Sequence, residues 1–342
     1  MLEFTDKGIY CSRGNFYIDP WRKVDYAVIT HAHSDHAYPG SRSYLSHEQS
    51  AEVLRLRLGK HIQLQTLAYD QPLFIGGVKI SLHPAGHIIG SAQVRVEYKE
   101  EVWVVSGDYK TEEDGISTAF EAVPCHAFIT ESTFGLPIYD WQPQHIIFQQ
   151  MNDWWKANKE DGKATFIGGY SLGKAQHILH NIDHRIGPVY VHQSIADTNR
   201  ALAADGAVLP AYRTLTPETS RRELQDAFVL CPPALFNSSW IKNIEAYETG
   251  YCSGWMSLRN FRKRMNVNRG FVLSDHADWK GLNAAVRATG AERVFVTHGY
   301  AETLARSLRE DGLDAEVVQT LYGGAGDDDH PALPGDTGEE QL

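Results

Sequence analysis

Short apolar runs of strand length dominate the first third of the chain. "VDYAVIT", "VKISLHPAG", "AQVRVEY", "EVWVVSGD" and "AFITES" are rich in β-branched or aromatic residues and end in Gly or polar positions. This spacing predicts a strand-rich half-domain. From Gln144 to about Asp226 the pattern changes, and "HIIFQQMNDWWKAN", "LGKAQHILHNI" and "TNRALAADG" read as helices alternating with the apolar runs "KATFIGG" and "GPVYVH". Such alternation predicts a βα-repeating parallel sheet, set as an insert into the first domain. From "RGFVLSDHADW" to "DAEVV" the chain then reads strand, helix, strand, helix, strand. Polar and histidine residues cluster at the C-terminal ends of those strands, where α/β sheets place their sites. The boundaries expected are 1–142 and 266–322 for the two parts of one domain, 143–265 for the insert, and 323–342 for a disordered acidic tail.

Composition narrows the class. The 342 residues hold ample apolar content for a core, and no run reaches the length of a membrane span. The N-terminus lacks the basic and apolar regions of a signal peptide, so a cytoplasmic, membrane-independent protein is expected, with a monomer as the default. The four cysteines are scattered and form no C-x-x-C pair, which suggests neither a disulfide framework nor a cysteine zinc site. A net charge of -11 looks wrong for a nucleic-acid binder. More than half of it, however, comes from Asp327, Asp328, Asp329, Asp336, Glu339 and Glu340 in the tail, so total charge neither requires nor excludes a phosphate-rich partner.

The segment "HAHSDH" packs His31, His33, Asp35 and His36 into six positions after a buried strand. Imidazole and carboxylate are ligands that zinc and related cations prefer, and one catalytic ion needs only three protein donors. Four donors in six residues therefore suggest ligands divided between two metals. More should lie at other strand ends. His87 in "HPAGHIIGS" and Asp108 in "WVVSGDYK" meet that condition, with Asp108 the natural bridging carboxylate, and His298 in "VFVTHG" is a candidate for the second metal. The bland reading of a lone strand-end histidine is a polar loop residue, and ten of the sixteen histidines, His83 among them, are assigned to it.

H-x-H-x-D-H at 31–36, then His87, then Asp108 in an "SGD" context, resembles the metallo-β-lactamase superfamily, whose fold is an αββα sandwich. The later segments "FITESTFG", "GGYSLGKAQHIL", "LSDHADW" and "VTHGY" resemble in order the signature elements of its β-CASP nucleases, which carry an inserted α/β domain. The likeness covers nearly the whole chain except the tail. Within the family it is closest to a bacterial DNA ligase-associated exonuclease group, similar to Artemis-type and cross-link-repair nucleases.

The resemblance implies that His31, His33 and His87 hold one metal, that Asp35 and His36 hold a second, and that Asp108 bridges them. The two divalent ions, zinc or manganese, would lower the pKa of a shared water for in-line attack on a phosphodiester, leaving a 5′-phosphate. His276 partnered by Glu131 would be the general-acid pair, so Asp35, Glu131 and His276 are the expected catalytic residues. Ser171 and Lys174, at an expected helix start, and Tyr109 and Lys110, beside Asp108, are candidates for holding substrate. Where the family usually carries Arg, Lys174 keeps the charge but loses bidentate donation. A basic stretch, "SLRNFRKRM", suits a nucleic-acid backbone and equally a solvated helix face. Tyr247, Tyr251 and Trp255 suit base stacking or, more simply, buried packing.

His298 is the residue found in RNA-cutting members, whereas the whole-chain likeness points to DNA. The expected function is thus a metal-dependent DNA exonuclease, with an RNA endo- or exonuclease and a small-molecule metallohydrolase as alternatives. An ATP-dependent DNA ligase and a helicase are the partners the resemblance implies.

Overall fold

The computed structural model describes residues 1–242, 244 and 246–320. The expected acidic tail, 323–342, lies outside these residues. The chain is mixed α/β and divides into two compact units, one of Met1–Asp140, Ala204–Ala207 and the segment from His276 onward, the other of Trp141–Ala203 and Val208–Asp275.

The first unit holds two sheets. Six short strands from Leu2–Thr5 to Leu64–Leu67 pair in chain order in the first sheet. The second has seven strands in the order Asp314–Val317, Arg293–Val296, Ala127–Thr130, Glu101–Val105, Ala92–Tyr98, Val78–Pro84 and Leu73–Ile75. Successive side chains on a strand point to opposite faces, and the second sheet is apolar on both. Trp103, Val105, Ala127, Ile129 and Phe295 pack with Phe16, Ile18, Val28 and Leu45 of the first sheet. Val104, Phe128, Val294 and Val296, one position out of phase, pack against Leu282, Val286, Leu304 and Leu308 of helices Trp279–Thr289 and Ala301–Glu310. Such two-sided burial explains why these strands read as continuous apolar runs rather than as alternating ones.

The second unit is a six-stranded sheet, parallel throughout. Helices Gln144–Glu160, Lys174–Asn181 and Gln193–Ala204 contribute Met151, Trp155, Ile178, Leu179 and Ile195 to its core. The strand Arg269–Phe271 extends this sheet, so residues 266–275 pack with the second unit. The expected helix start at Ser171 shifts. Gly173 is the N-cap, its N–H donating to Gln176 Oε1 at 2.7 Å, and Lys174 is the first helical residue. Tyr251 and Trp255 are buried packing residues and Tyr247 stacks edge-on against Phe166, which accounts for these aromatics without a stacked base.

Among the described residues no helix is long and apolar enough to cross a membrane.

Candidate metal centre

Strand ends deliver every candidate ligand to one place in the first unit. The strand Tyr26–Val28 runs out at Thr30, and the next residues close a turn in which the N–H groups of His36 and Ala37 both donate to His33 O. That turn folds the imidazoles of His31, His33 and His36 together; the His31 ring centroid lies 4.8 Å from that of His33 and 4.2 Å from that of His36. His87 follows the Val78–Pro84 strand, its ring 4.9 Å from His33. Asp108 follows the Glu101–Val105 strand across Gly107, whose φ is +55°. A Cβ at Gly107 would stand 2.5 Å from Thr30 Oγ1, so only glycine lets the two turns approach this closely.

The donor atoms fall into overlapping groups, each within 4.8 Å: His31, His33, His87 and Asp108; His31, Asp35 and His36; and His36, Asp108 and His298. Asp108 belongs to both the first and the third. Its Oδ2 lies 3.4 Å from His31 Nε2, 3.5 Å from His36 Nε2 and 3.9 Å from His87 Nε2. His298 stacks on His36 with centroids 5.3 Å apart.

Orientation of the rings comes from residues that the sequence reading missed. Asp19, at the end of the Phe16–Ile18 strand, places Oδ2 2.7 Å from His36 Nδ1 and accepts from Thr30 N–H at 2.8 Å and Thr30 Oγ1–H at 2.5 Å. The hydroxyl proton of Thr30 is thereby committed to Asp19. Thr30 Oγ1, 3.1 Å from His31 Nδ1, must accept from that ring, which leaves the His31 lone pair on Nε2. Asp19 stands seventeen residues before His36, but its place at a strand end in "FYIDP" is the signal that would have found it.

The donor set fits divalent cations. His31 Nε2 and Asp108 Oδ1 are buried and make no hydrogen bond among the described residues, a cost normally met by a partner. Burial, reinforced by the charge on His36, holds the His31 pKa well below its usual value against the pull of Asp108. Burial likewise takes His298 down to about 3 although Asp108 opposes it. Both rings are therefore neutral and able to donate a lone pair. Burial also opposes charge on His36, yet the carboxylates of Asp35, Asp108 and Asp19 outweigh it and raise its pKa well above the usual value. For Asp108, burial is overcome by the charge on His36 and by the closeness of the His31 and His36 rings, which hold the carboxyl far below its usual range. Three carboxylates around one imidazole are an arrangement that calls for added positive charge.

Beside this cluster, His276 Nδ1 lies 3.0 and 2.9 Å from the two carboxylate oxygens of Glu131, and both residues are buried. Glu131 Oε1 also accepts from Tyr109 N–H at 2.7 Å. One oxygen or ring nitrogen from each of Asp108, Glu131 and His276 falls within 4.8 Å, and the His276 ring is 4.6 Å from that of His87.

The substrate-holding candidates are placed differently. Tyr109 is fully buried in the helix-facing core with its hydroxyl 2.9 Å from Thr130 Oγ1, and it touches the site through its backbone. Lys110 is buried, its N–H donating to Ala85 O. Ser171 and Lys174 belong to the second unit, where Lys174 is 1% exposed and its ammonium lies 2.9 Å from Asp275 Oδ2 and 3.0 Å from Leu273 O. In this structure the ammonium is engaged in an internal ion pair.

No protein-family model matches the chain. Curated relatives do. "Probable DNA ligase" of Opitutus terrae is 30% identical over 91% of this chain and 30% of that protein. "Cleavage and polyadenylation specificity factor subunit 3-I" of Arabidopsis thaliana is 26% identical over 48% of this chain and 28% of that protein. "Endoribonuclease YSH1" of Saccharomyces cerevisiae is 22% identical over 54% and 24% respectively. The chain spans less than a third of the length of these relatives. A solved structure, a protein of unknown function from Enterococcus faecalis, matches the fold with a TM-score of 0.54 at 11% identity, covering 87% of this chain and 80% of that one. With its strand-end histidines and aspartates, the chain belongs to the β-CASP family of the metallo-β-lactamase superfamily.

Proposed function

We propose that this protein is a metal-dependent nuclease that trims DNA ends as an exonuclease, with the first unit an αββα metallo-β-lactamase domain and the second its β-CASP insertion. The observation that carries the reading is the buried Glu131–His276 pair set against Asp108 and His87. A hydrolase acting on small molecules has less need of a second carboxylate–imidazole pair beside its metal ligands.

His31, His33 and His87 would hold one cation and Asp35, His36 and His298 the other, with Asp108 common to both. When bound, such a pair supplies a nucleophilic water derivative at neutral pH and neutralises charge on the phosphate. Asp19 and Thr30 hold His36 and His31 in the required ring orientations. Glu131 fixes His276 through Nδ1, so that a proton carried on Nε2 can pass to the leaving 3′-oxygen. The amide of Tyr109 steadies Glu131 as that charge moves.

DNA is favoured because the relative named as a DNA ligase aligns over 91% of the chain, whereas the polyadenylation factor and the yeast endoribonuclease align over about half. RNA is the second reading. It is supported by the place of His298 beside His36 and Asp108 and by the names of those relatives. A bacterial cytoplasmic setting, with a ligase and a helicase as partners, belongs to the DNA reading. The test incubates metal-loaded protein with 5′- and 3′-labelled single-stranded DNA and matched RNA, alongside Asp108→Ala and His276→Ala. Stepwise DNA shortening lost in both variants supports the proposal. Cleavage confined to RNA moves the substrate to the second reading, and cleavage of neither by metal-bound protein removes the nuclease assignment.

A further inference from the structure

A second group of donors lies in the first unit and shares no residue with the centre described above. His83, on the Val78–Pro84 strand, is 8% exposed, and its Nδ1 is buried without a hydrogen bond among the described residues. Asp70 Oδ1 stands 3.0 Å from that nitrogen and Glu121 Oε1 3.8 Å from it. At 3.0 Å a ring N–H aimed at the oxygen would form a hydrogen bond; none forms, so the carboxylate lies off the N–H line. Ser81 Oγ, 3.0 Å from Nε2, gives the other ring nitrogen its partner and leaves Nδ1 able to carry the lone pair.

The backbone builds this arrangement deliberately. Asp70 N–H donates to Leu82 O at 2.9 Å and Glu121 N–H to Pro84 O at 3.2 Å, so the two acids are pinned to the strand on either side of His83. Gln93 Nε2 donates to both Pro84 O and Glu121 O, locking the second of them. Asp70 is itself held at φ +61°, a conformation that Asp tolerates better than most residues. Arg95, a cation whose charge bears on the ring, is paired with Glu97 at 2.5 Å. Burial lowers the His83 pKa against the pull of Asp70 and Glu121, which keeps the ring in its metal-binding form.

We propose that Asp70, His83 and Glu121 form a separate divalent-cation site of one imidazole and two carboxylates, open to solvent on the carboxylate side, where water completes the coordination. The three donor atoms lie within 4.8 Å of one another. Mixed nitrogen and oxygen donors suit zinc or manganese. Such an ion would tie the loop that follows Asp108 to the strand that leads into His87, bracing the main centre without entering it. The site does not depend on the nuclease reading.

The experiment compares the wild-type chain with D70N/E121Q after equilibrium dialysis against zinc or manganese, counting bound metal by mass spectrometry. The expected result is one equivalent fewer in the double variant, with the circular dichroism spectrum unchanged. Equal counts across the titration overturn the proposal. Both acids are largely solvent-facing, so misfolding is not expected; should it occur, D70N alone answers the question, since a coordinating Asp70 requires at least a tenfold weaker last equivalent and an unchanged isotherm sinks the site. Asp108→Ala provides the converse control. It should lose metal from the main centre and keep the equivalent removed by D70N/E121Q.

Discussion

His36 sits among three carboxylates, and the one that is not a candidate ligand, Asp19, sets its orientation. Asp19→Asn keeps the shape but weakens the acceptor, and metal affinity should fall ~10–100-fold, the usual cost of losing such a support. Competition with a chromogenic chelator measures this, and unchanged affinity would show that Asp19 only shapes the loop. His276→Ala should slow cleavage by ~10²–10⁴-fold while leaving bound metal intact; an equal loss of metal would make His276 a ligand instead of an acid.

A third residue-scale prediction concerns His47, whose Nδ1 accepts from Gln49 N–H and whose ring stacks 3.6 Å from that of Tyr69. Burial lowers its pKa to about 4 from an unfolded value of about 6.5. Between those values the unfolded chain binds the extra proton and the folded chain does not. Stability from this group is therefore complete above about pH 6.5 and is lost as pH falls towards 4, by up to ~3 kcal/mol. Denaturant titrations of wild type and His47→Gln across that range should converge as pH falls; parallel curves would refute the assignment.

At the scale of elements, the helix Lys174–Asn181 begins on a buried charge. Lys174 pairs with Asp275, and His177 Nδ1 lies 3.4 Å from the other oxygen of the same carboxylate. Removing one member of a buried pair strands the other, so Lys174→Met should destabilise the protein by ~3–5 kcal/mol. Thermal or denaturant unfolding reads this. Unchanged stability combined with weaker, less salt-sensitive DNA binding would restore Lys174 to the phosphate-contacting role expected from "YSLGKAQ". That expectation weighed helix-start geometry and charge, both visible locally. The carboxylate that claims the charge lies about a hundred residues downstream, beyond the reach of any local pattern.

For the whole molecule, cations bound by the native state and not by the unfolded chain add stability that grows as the logarithm of one plus free metal over the dissociation constant. Chelation should lower the melting temperature of wild type by more than that of Asp108→Ala, which has only the ion at His83 left to lose. A melting temperature indifferent to chelator would mean that the clustered histidines bind nothing.

Much of the candidate centre was legible because its donor residues are local or repeat one rule. No turn calls for three histidines and an aspartate in six residues, and His87, Asp108 and His298 each follow the end of a β-rich run. The strand-rich half, the βα-alternating half and the closing strand–helix series were legible for a related reason, since burial on one or two faces imprints itself on hydrophobic spacing. Tertiary structure alone decided which strand ends meet. It set Asp19 beneath His36, turned the amide of Tyr109 onto Glu131 while burying its side chain, enclosed Lys174 with Asp275, and brought Asp70 and Glu121 to His83. Spacing along a chain records which way a side chain faces its own strand or helix; which distant residue it then meets depends on sheet order and register, and those are settled only when the apolar faces pack.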